Sequence, residues 1–167
     1  MHAWSGKFRR EFDANLKRAV PDADAALIDA AAASAGRVVF ELPWVWMRSR
    51  AEVLARVTRV TGWEHVEALH AKGRGVVLLT PHMGAFEVAA QLIGSRLPIT
   101  VLYRAPRQAW LGPLMVRGRE GGGVSLAAAD GGGVRRLLRT LRDGGLVGIL
   151  PDQVPANGEG VWADFFG

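Results

Sequence analysis

The sequence predicts an α/β domain with a mainly parallel central sheet flanked by helices. Three observations carry that prediction. Val76-Val77-Leu78-Leu79 and Leu146-Val147-Gly148-Ile149-Leu150 are short, continuous apolar runs that read as buried strands. Each is closed by a proline, Pro81 or Pro151, which cannot donate to a ladder. Segments of helical period lie between such runs, and alternating strands and helices build parallel sheets.

In order along the chain, Phe8, Phe12, Leu16 and Val20 recur at i, i+4, i+8, which is helical. A second, alanine-rich helix is expected over 23–40, with Asp22 or Asp24 as its N-cap and Pro43 kinking or ending it. Trp44-Val45-Trp46-Met47 reads as helix–helix core rather than a membrane-interface surface, since large aromatics usually supply burial. Residues 57–61 are β-branched and predict a short strand; 63–71 predict a helix whose His65 and His70 lie on a solvated face. The strand at 76–80 precedes a helix at about 84–95, with Phe86, Ala89, Leu92 and Ile93 on its buried stripe. Further strands are expected at 99–103, 124–126 and 146–150. A helix over 133–143, capped near Asp130, turns Leu137, Leu138 and Leu141 inward. The whole reads as one partial domain over 1–167: a helical part at 1–55 and an α/β core at 56–167. The closing Trp162-Ala163-Asp164-Phe165-Phe166-Gly167 looks like an interrupted element, because natural termini usually fray. A chain truncated at both ends is expected.

The composition bounds the chemistry. There is no cysteine, hence neither a disulfide framework nor thiol catalysis. Net charge is +5, and 18 of the 21 basic residues are arginine, which binds carboxylate and phosphate bidentately. Acidic partners fit that balance, although charge alone does not identify one. No apolar run approaches the ~20 residues of a membrane helix, and the first ten residues lack a signal-peptide core.

The most informative stretch is Thr80-Pro81-His82-Met83-Gly84-Ala85-Phe86-Glu87. It puts a histidine and a carboxylate at the carboxyl end of a strand, where open α/β sheets build their sites. On one helix the two would sit roughly 140° apart. They meet only if His82 lies in the loop and Glu87 in the first turn of the next helix, looking back. The helix dipole favours an ionised carboxylate there, and such a group beside an imidazole supports a general base. Spacing alone equally allows a first-turn glutamate that stabilises its helix and a loop histidine bonded to backbone. If the strands at 76 and 146 run parallel, His82 and Asp152 face one crevice.

Other chemistries fit less well. Gly121-Gly122-Gly123 and Gly131-Gly132-Gly133 lack the following Lys-Ser or Lys-Thr of a phosphate loop and read as turns. No serine sits in a nucleophile elbow. Two ligands do not make a metal site, and no acidic cluster is placed to hold magnesium.

Taken together, His82-x4-Glu87, Tyr103-Arg104 followed by Arg117-Gly118-Arg119, 141–145 through Gly148-Ile149-Leu150-Pro151-Asp152-Gln153, and the closing 160–167 resemble the lipid A biosynthesis acyltransferases. These are a branch of the wider glycerolipid acyltransferase group, in which aspartate replaces the glutamate. The resemblance covers roughly 75–167, with a weaker match through Asn15-Leu16 and Pro21.

That resemblance implies an enzyme at the cytoplasmic face of the bacterial inner membrane. It would move a fatty acyl chain from acyl carrier protein, or coenzyme A, to a hydroxyl of an acylated glucosamine disaccharide. It implies no cofactor beyond the acyl thioester and no nucleic acid partner. By analogy His82 is the general base, Glu87 orients and charge-compensates it, and no covalent acyl-enzyme forms. Tyr103, Arg104, Arg117 and Arg119 are then substrate-binding, holding phosphate or developing negative charge. Asp152 and Gln153 either contact substrate or shape the site. Arg135, Arg136, Arg139 and Arg142 would dock an acidic carrier protein, or form an ordinary solvated face. The alternatives are a related acyltransferase with another glycolipid or lysophospholipid acceptor, and an inactive fragment that binds anionic lipid.

Overall fold

The computed structural model describes residues 6–106, 108–152, 161, 163 and 164. These fall into two compact units, the second beginning at Phe40 and containing the whole sheet.

The first unit is helical. Helix α1 (Gly6–Ala19) carries Phe8 and Phe12 one turn apart, their rings stacked at 6.2 Å. Helix α2 (Ala25–Met47) opens on Asp24, whose Oδ1 accepts from the Leu27 amide at 2.7 Å. That fills one of the donors a helix start leaves unpaired.

Pro43 lies inside α2, and the helix runs on to Met47. A proline there removes one hydrogen bond. Packing within the second unit offsets the loss. Val45 is buried, and Trp46 touches Gly118 so closely that a Cβ there would lie 2.5 Å from the Trp46 Cβ. The 44–47 cluster is therefore core at Val45, half-buried at both tryptophans and exposed at Met47.

Helix α3 (Arg50–Leu54) starts with a capping box between Ser49 and Glu52. The strand expected at 57–61 is absent. Only Val57 and Val60 are half-buried there, and β-branching cannot make a strand without a ladder partner. Helix α4 (Trp63–His70) leaves His65 exposed, whereas His70 is half-buried rather than solvated.

The four strands are β1 (Val76–Leu79), β2 (Ile99–Tyr103), β3 (Val124–Ala128) and β4 (Leu146–Ile149). They form an all-parallel sheet in the order β1-β4-β2-β3. Register places Val76, Leu146, Ile99 and Val124 in one row across it. All four are buried and, with Leu126, they make the main core. Val66 of α4, Ile93 of α5 (Phe86–Arg96) and Val116 of α6 (Leu111–Arg119) pack against that face. Side chains alternate along a strand, so Val147 next to Leu146 serves the opposite face. There it joins Ala127 and Leu137 of α7 (Gly131–Arg142) in a second core.

Two glycine clusters behave differently. Gly121, Gly122 and Gly123 all have positive φ (97°, 53° and 88°) and make the expected turn. Gly131-Gly132-Gly133 instead opens α7. Asp130 caps it through the Gly133 amide at 2.8 Å, and a Cβ at Gly133 would fall 1.8 Å from the Ala128 carbonyl. Glycine is what lets this helix start against β3. On α7, Leu137 is buried and Leu141 half-buried, while Leu138 is exposed because it sits about 100° away from Leu137. Arg136 is not part of a free charged face, since it donates to the Leu126 carbonyl at 2.9 Å.

Candidate functional site

Adjacent parallel strands deliver two loops side by side. Leu79 and Ile149 are register partners, and the Thr80 amide extends the ladder to the Ile149 carbonyl at 3.1 Å. Beyond it Pro81 stops β1, and Gly84 turns the chain at φ 56° into α5. His82 therefore faces Asp152 across the carboxyl edge of the sheet.

The contact is twofold. Asp152 Oδ2 accepts from the His82 amide at 2.7 Å, and Oδ1 meets the His82 ring at Nδ1, also at 2.7 Å. An ionised carboxylate can only accept, so Nδ1 carries the hydrogen in the neutral ring and Nε2 is the basic nitrogen. The Phe86 ring stands edge-on to the imidazole, centroids 4.9 Å apart. Both polar side chains remain about one-third exposed (34% and 33%), which leaves the pair accessible from solvent.

Burial pushes the Asp152 carboxyl up. The hydrogen bonds from the His82 ring and amide, from its own amide, and the imidazole's charge outweigh this and leave it below the usual carboxylate range. The sign for stability follows. The unfolded carboxyl takes its proton at about pH 3.9, above the folded value. The contribution is whole above that pH and is lost as pH falls through the lower folded value. Urea midpoints of the protein and of Asp152→Asn should therefore converge as the pH drops below about 4. A gap that persists unchanged in strong acid would show that this carboxylate does not titrate with folding.

Glu87 occupies the first turn of α5, as its position in the sequence predicts, yet its carboxylate is engaged by Arg119. Arg119 Nε lies 2.9 Å from each carboxylate oxygen, and a terminal guanidinium nitrogen joins Oε1 as well. The guanidinium also reaches Met115 Sδ at 3.1 Å and lies 5.5 Å from the centre of the Trp46 ring. The reason is burial. Glu87 is 5% exposed, and a carboxylate so enclosed needs a full, well-aligned opposite charge. A carboxylate that is hydrogen-bonded to the His82 ring is that of Asp152, 70 residues away in sequence.

Tyr103 ends β2 half-buried and Arg104 follows it exposed. Arg117 is exposed near the end of α6, and Gln153 lies outside the described residues, as does most of 160–167. Sequence reasoning did not single out Gln91 as a site residue. It sits one turn beyond Glu87, is 3% exposed and donates to the Gly118 carbonyl at 3.3 Å. Its i+4 spacing from Glu87 was the available signal. Among the described residues, no three His, Asp or Glu side chains gather as a metal ion would require. No described helix is long and apolar enough to cross a membrane.

Comparison with known proteins identifies the family. A family model described as bacterial lipid A biosynthesis acyltransferase matches residues 3–167. The chain is 29% identical over 145 residues to a lipid A biosynthesis acyltransferase of Haemophilus influenzae, covering 84% of this chain and 44% of that protein. It is 28% identical over 111 residues to the lipid A biosynthesis lauroyltransferase of Escherichia coli, covering 66% of this chain and 35% of that protein. The chain thus spans less than half the length of either relative. With the family model running almost from end to end, the chain belongs to the bacterial lipid A biosynthesis acyltransferase family.

Proposed function

We propose that this chain carries the acyl-transfer site of an enzyme that moves a fatty acyl group from a thioester to a hydroxyl of a lipid A precursor. The observation that carries this reading is the His82–Asp152 hydrogen bond at the carboxyl edge of the sheet. With Nδ1 held by Asp152, Nε2 of His82 takes the proton of the acceptor hydroxyl as its oxygen attacks the thioester carbonyl. The C–O bond forms, the C–S bond breaks, and the proton passes to the departing thiolate. A neighbouring carboxylate stabilises the imidazolium that exists between those steps.

In this reading Asp152 is a positioning residue that fixes the tautomer of His82. Glu87 is positioned by Arg119 and holds the first turn of α5 beneath the His82 loop. The family resemblance assigns Glu87 to the histidine itself, and the two assignments make different predictions for its variants. Arg104 and Arg117, both exposed, are free of described carboxylate partners and suit an anionic glycolipid. The donor is acyl carrier protein or coenzyme A, and the enzyme works at the inner-membrane surface.

The test supplies the purified protein with radiolabelled acyl carrier protein or acyl coenzyme A, together with a lipid A precursor or a lysophospholipid. Label is expected in the lipid A precursor. Transfer to the lysophospholipid alone would reassign the acceptor, and no transfer to either by folded protein would overturn the reading.

A further inference from the structure

Among the described residues, the loop that carries His82 has few tethers. Residues 81–85 are all exposed, and Ala85 opens α5 without a side-chain cap. The Met83 amide donates back to the Pro81 carbonyl at 2.8 Å, and Asp152 holds the His82 amide. The imidazole is held by Asp152 at Nδ1. That hydrogen bond sets where the nitrogen lies, but rotation about the Cβ–Cγ bond of a histidine is soft. The bond by itself leaves the direction of Nε2 loosely set.

Phe86 supplies a second constraint. It shares a face of α5 with Ile93, seven residues on, and lies about 10 Å nearer the start of the helix. Ile93 packs on the main core, whereas Phe86 is half-buried and, among the described residues, joins neither core. Its described ring contact is with the imidazole, the centroids 4.9 Å apart and the planes crossing at 67°. Glu87 follows, about 100° round the helix, and is bound in the interior by Arg119. That ion pair fixes the rotation of the first turn of α5 and so aims Phe86 at the loop. An aromatic ring beyond the end of the core, set against a histidine, orients that histidine more than it fills space.

We propose that Phe86 is a positioning residue for acyl transfer. Its ring sets the plane of the His82 imidazole and, with Asp152 at Nδ1, directs Nε2 toward the acceptor hydroxyl. Edge-to-face ring pairs have a preferred geometry, so this contact resists rotation in a way that an aliphatic side chain does not. A reacting group misplaced by about 1 Å costs up to about 10²-fold in rate. The reaction invoked rests on the acyl-transfer reading above; the orientation of the ring does not.

Phe86→Leu and Phe86→Tyr are compared with the parent by two readouts, with a thermal melt of each. Long-range proton–nitrogen spectra of histidine-labelled protein, in mildly alkaline buffer, show which nitrogen of the His82 ring carries the proton. His82→Ala identifies the signals. The parent is expected as the Nδ1–H tautomer, Phe86→Leu as a mixture of tautomers, and Phe86→Tyr, which keeps the ring, as the parent. In steady-state transfer Phe86→Leu should lower kcat about tenfold or more with little change in KM for donor or acceptor, and Phe86→Tyr should retain most of the rate. The parent's spectrum or an unchanged kcat in Phe86→Leu would overturn the proposal. So would Phe86→Tyr as impaired as Phe86→Leu, or a Phe86→Leu protein that does not fold, which would make the ring a core element. If the spectra change as expected but the parent transfers no acyl group, the enzyme reading fails while Phe86 still orients the imidazole. Transfer by the parent with unchanged spectra does the reverse.

Discussion

His82→Ala is expected to lower acyl transfer by about 10²–10⁴-fold, the usual contribution of a positioned general base. The protein should remain folded, because the side chain is 34% exposed and the sheet does not depend on it. Single-turnover transfer from labelled donor, with a thermal melt in parallel, checks both parts. A rate within a few-fold of the parent would end the assignment of the base. Two further variants then sort the carboxylates. Asp152→Asn leaves the shape but removes the charge that the imidazolium needs, so its rate should fall with that of His82→Ala. If instead Glu87→Gln falls and Asp152→Asn does not, the pairing suggested by the family resemblance operates during turnover.

Glu87→Ala is expected to cost about 3–5 kcal/mol of stability, the range for breaking a buried ion pair by removing one partner. The pair is enclosed, with side chains 6% and 23% exposed, so solvent screens it little. Losing the glutamate strands the Arg119 charge between Met115 and Trp46. Urea denaturation checks the size. The double variant Glu87→Leu with Arg119→Met should recover much of the loss, since a well-packed apolar pair avoids desolvating two charges. A single-variant cost below about 1 kcal/mol, the level of an exposed pair, would mean that water reaches the contact.

Much of the site was written locally. Continuous apolar runs ended by Pro81 and Pro151 named two strands and the edge where their loops emerge. The position of Glu87 in a first turn followed from its distance to Pro81 and Gly84. Asp130 was legible as a cap because aspartate before glycines offers an oxygen to unpaired amides. The Ser49–Glu52 capping box was equally available, and α3 follows from it. Residues 57–61 show the converse. Their β-branching signalled a strand, but a strand exists only where another supplies hydrogen bonds. Helix α6 was hidden by Pro113, harmless in a first turn where its missing N–H has no partner to lose.

What the sequence by itself determined is the alternation of elements, the parallel sheet and the loops that carry His82 and Asp152. These depend on near-neighbour spacing, which periodicity records. Only the tertiary structure decided which carboxylate meets the imidazole and which meets a guanidinium. Strand order β1-β4-β2-β3 makes β1 and β4 neighbours and so joins residues 70 apart. Helix α6, lying against α5, encloses Glu87 and gives it Arg119. Charge partners are chosen by burial and distance, and neither is a property of spacing along the chain.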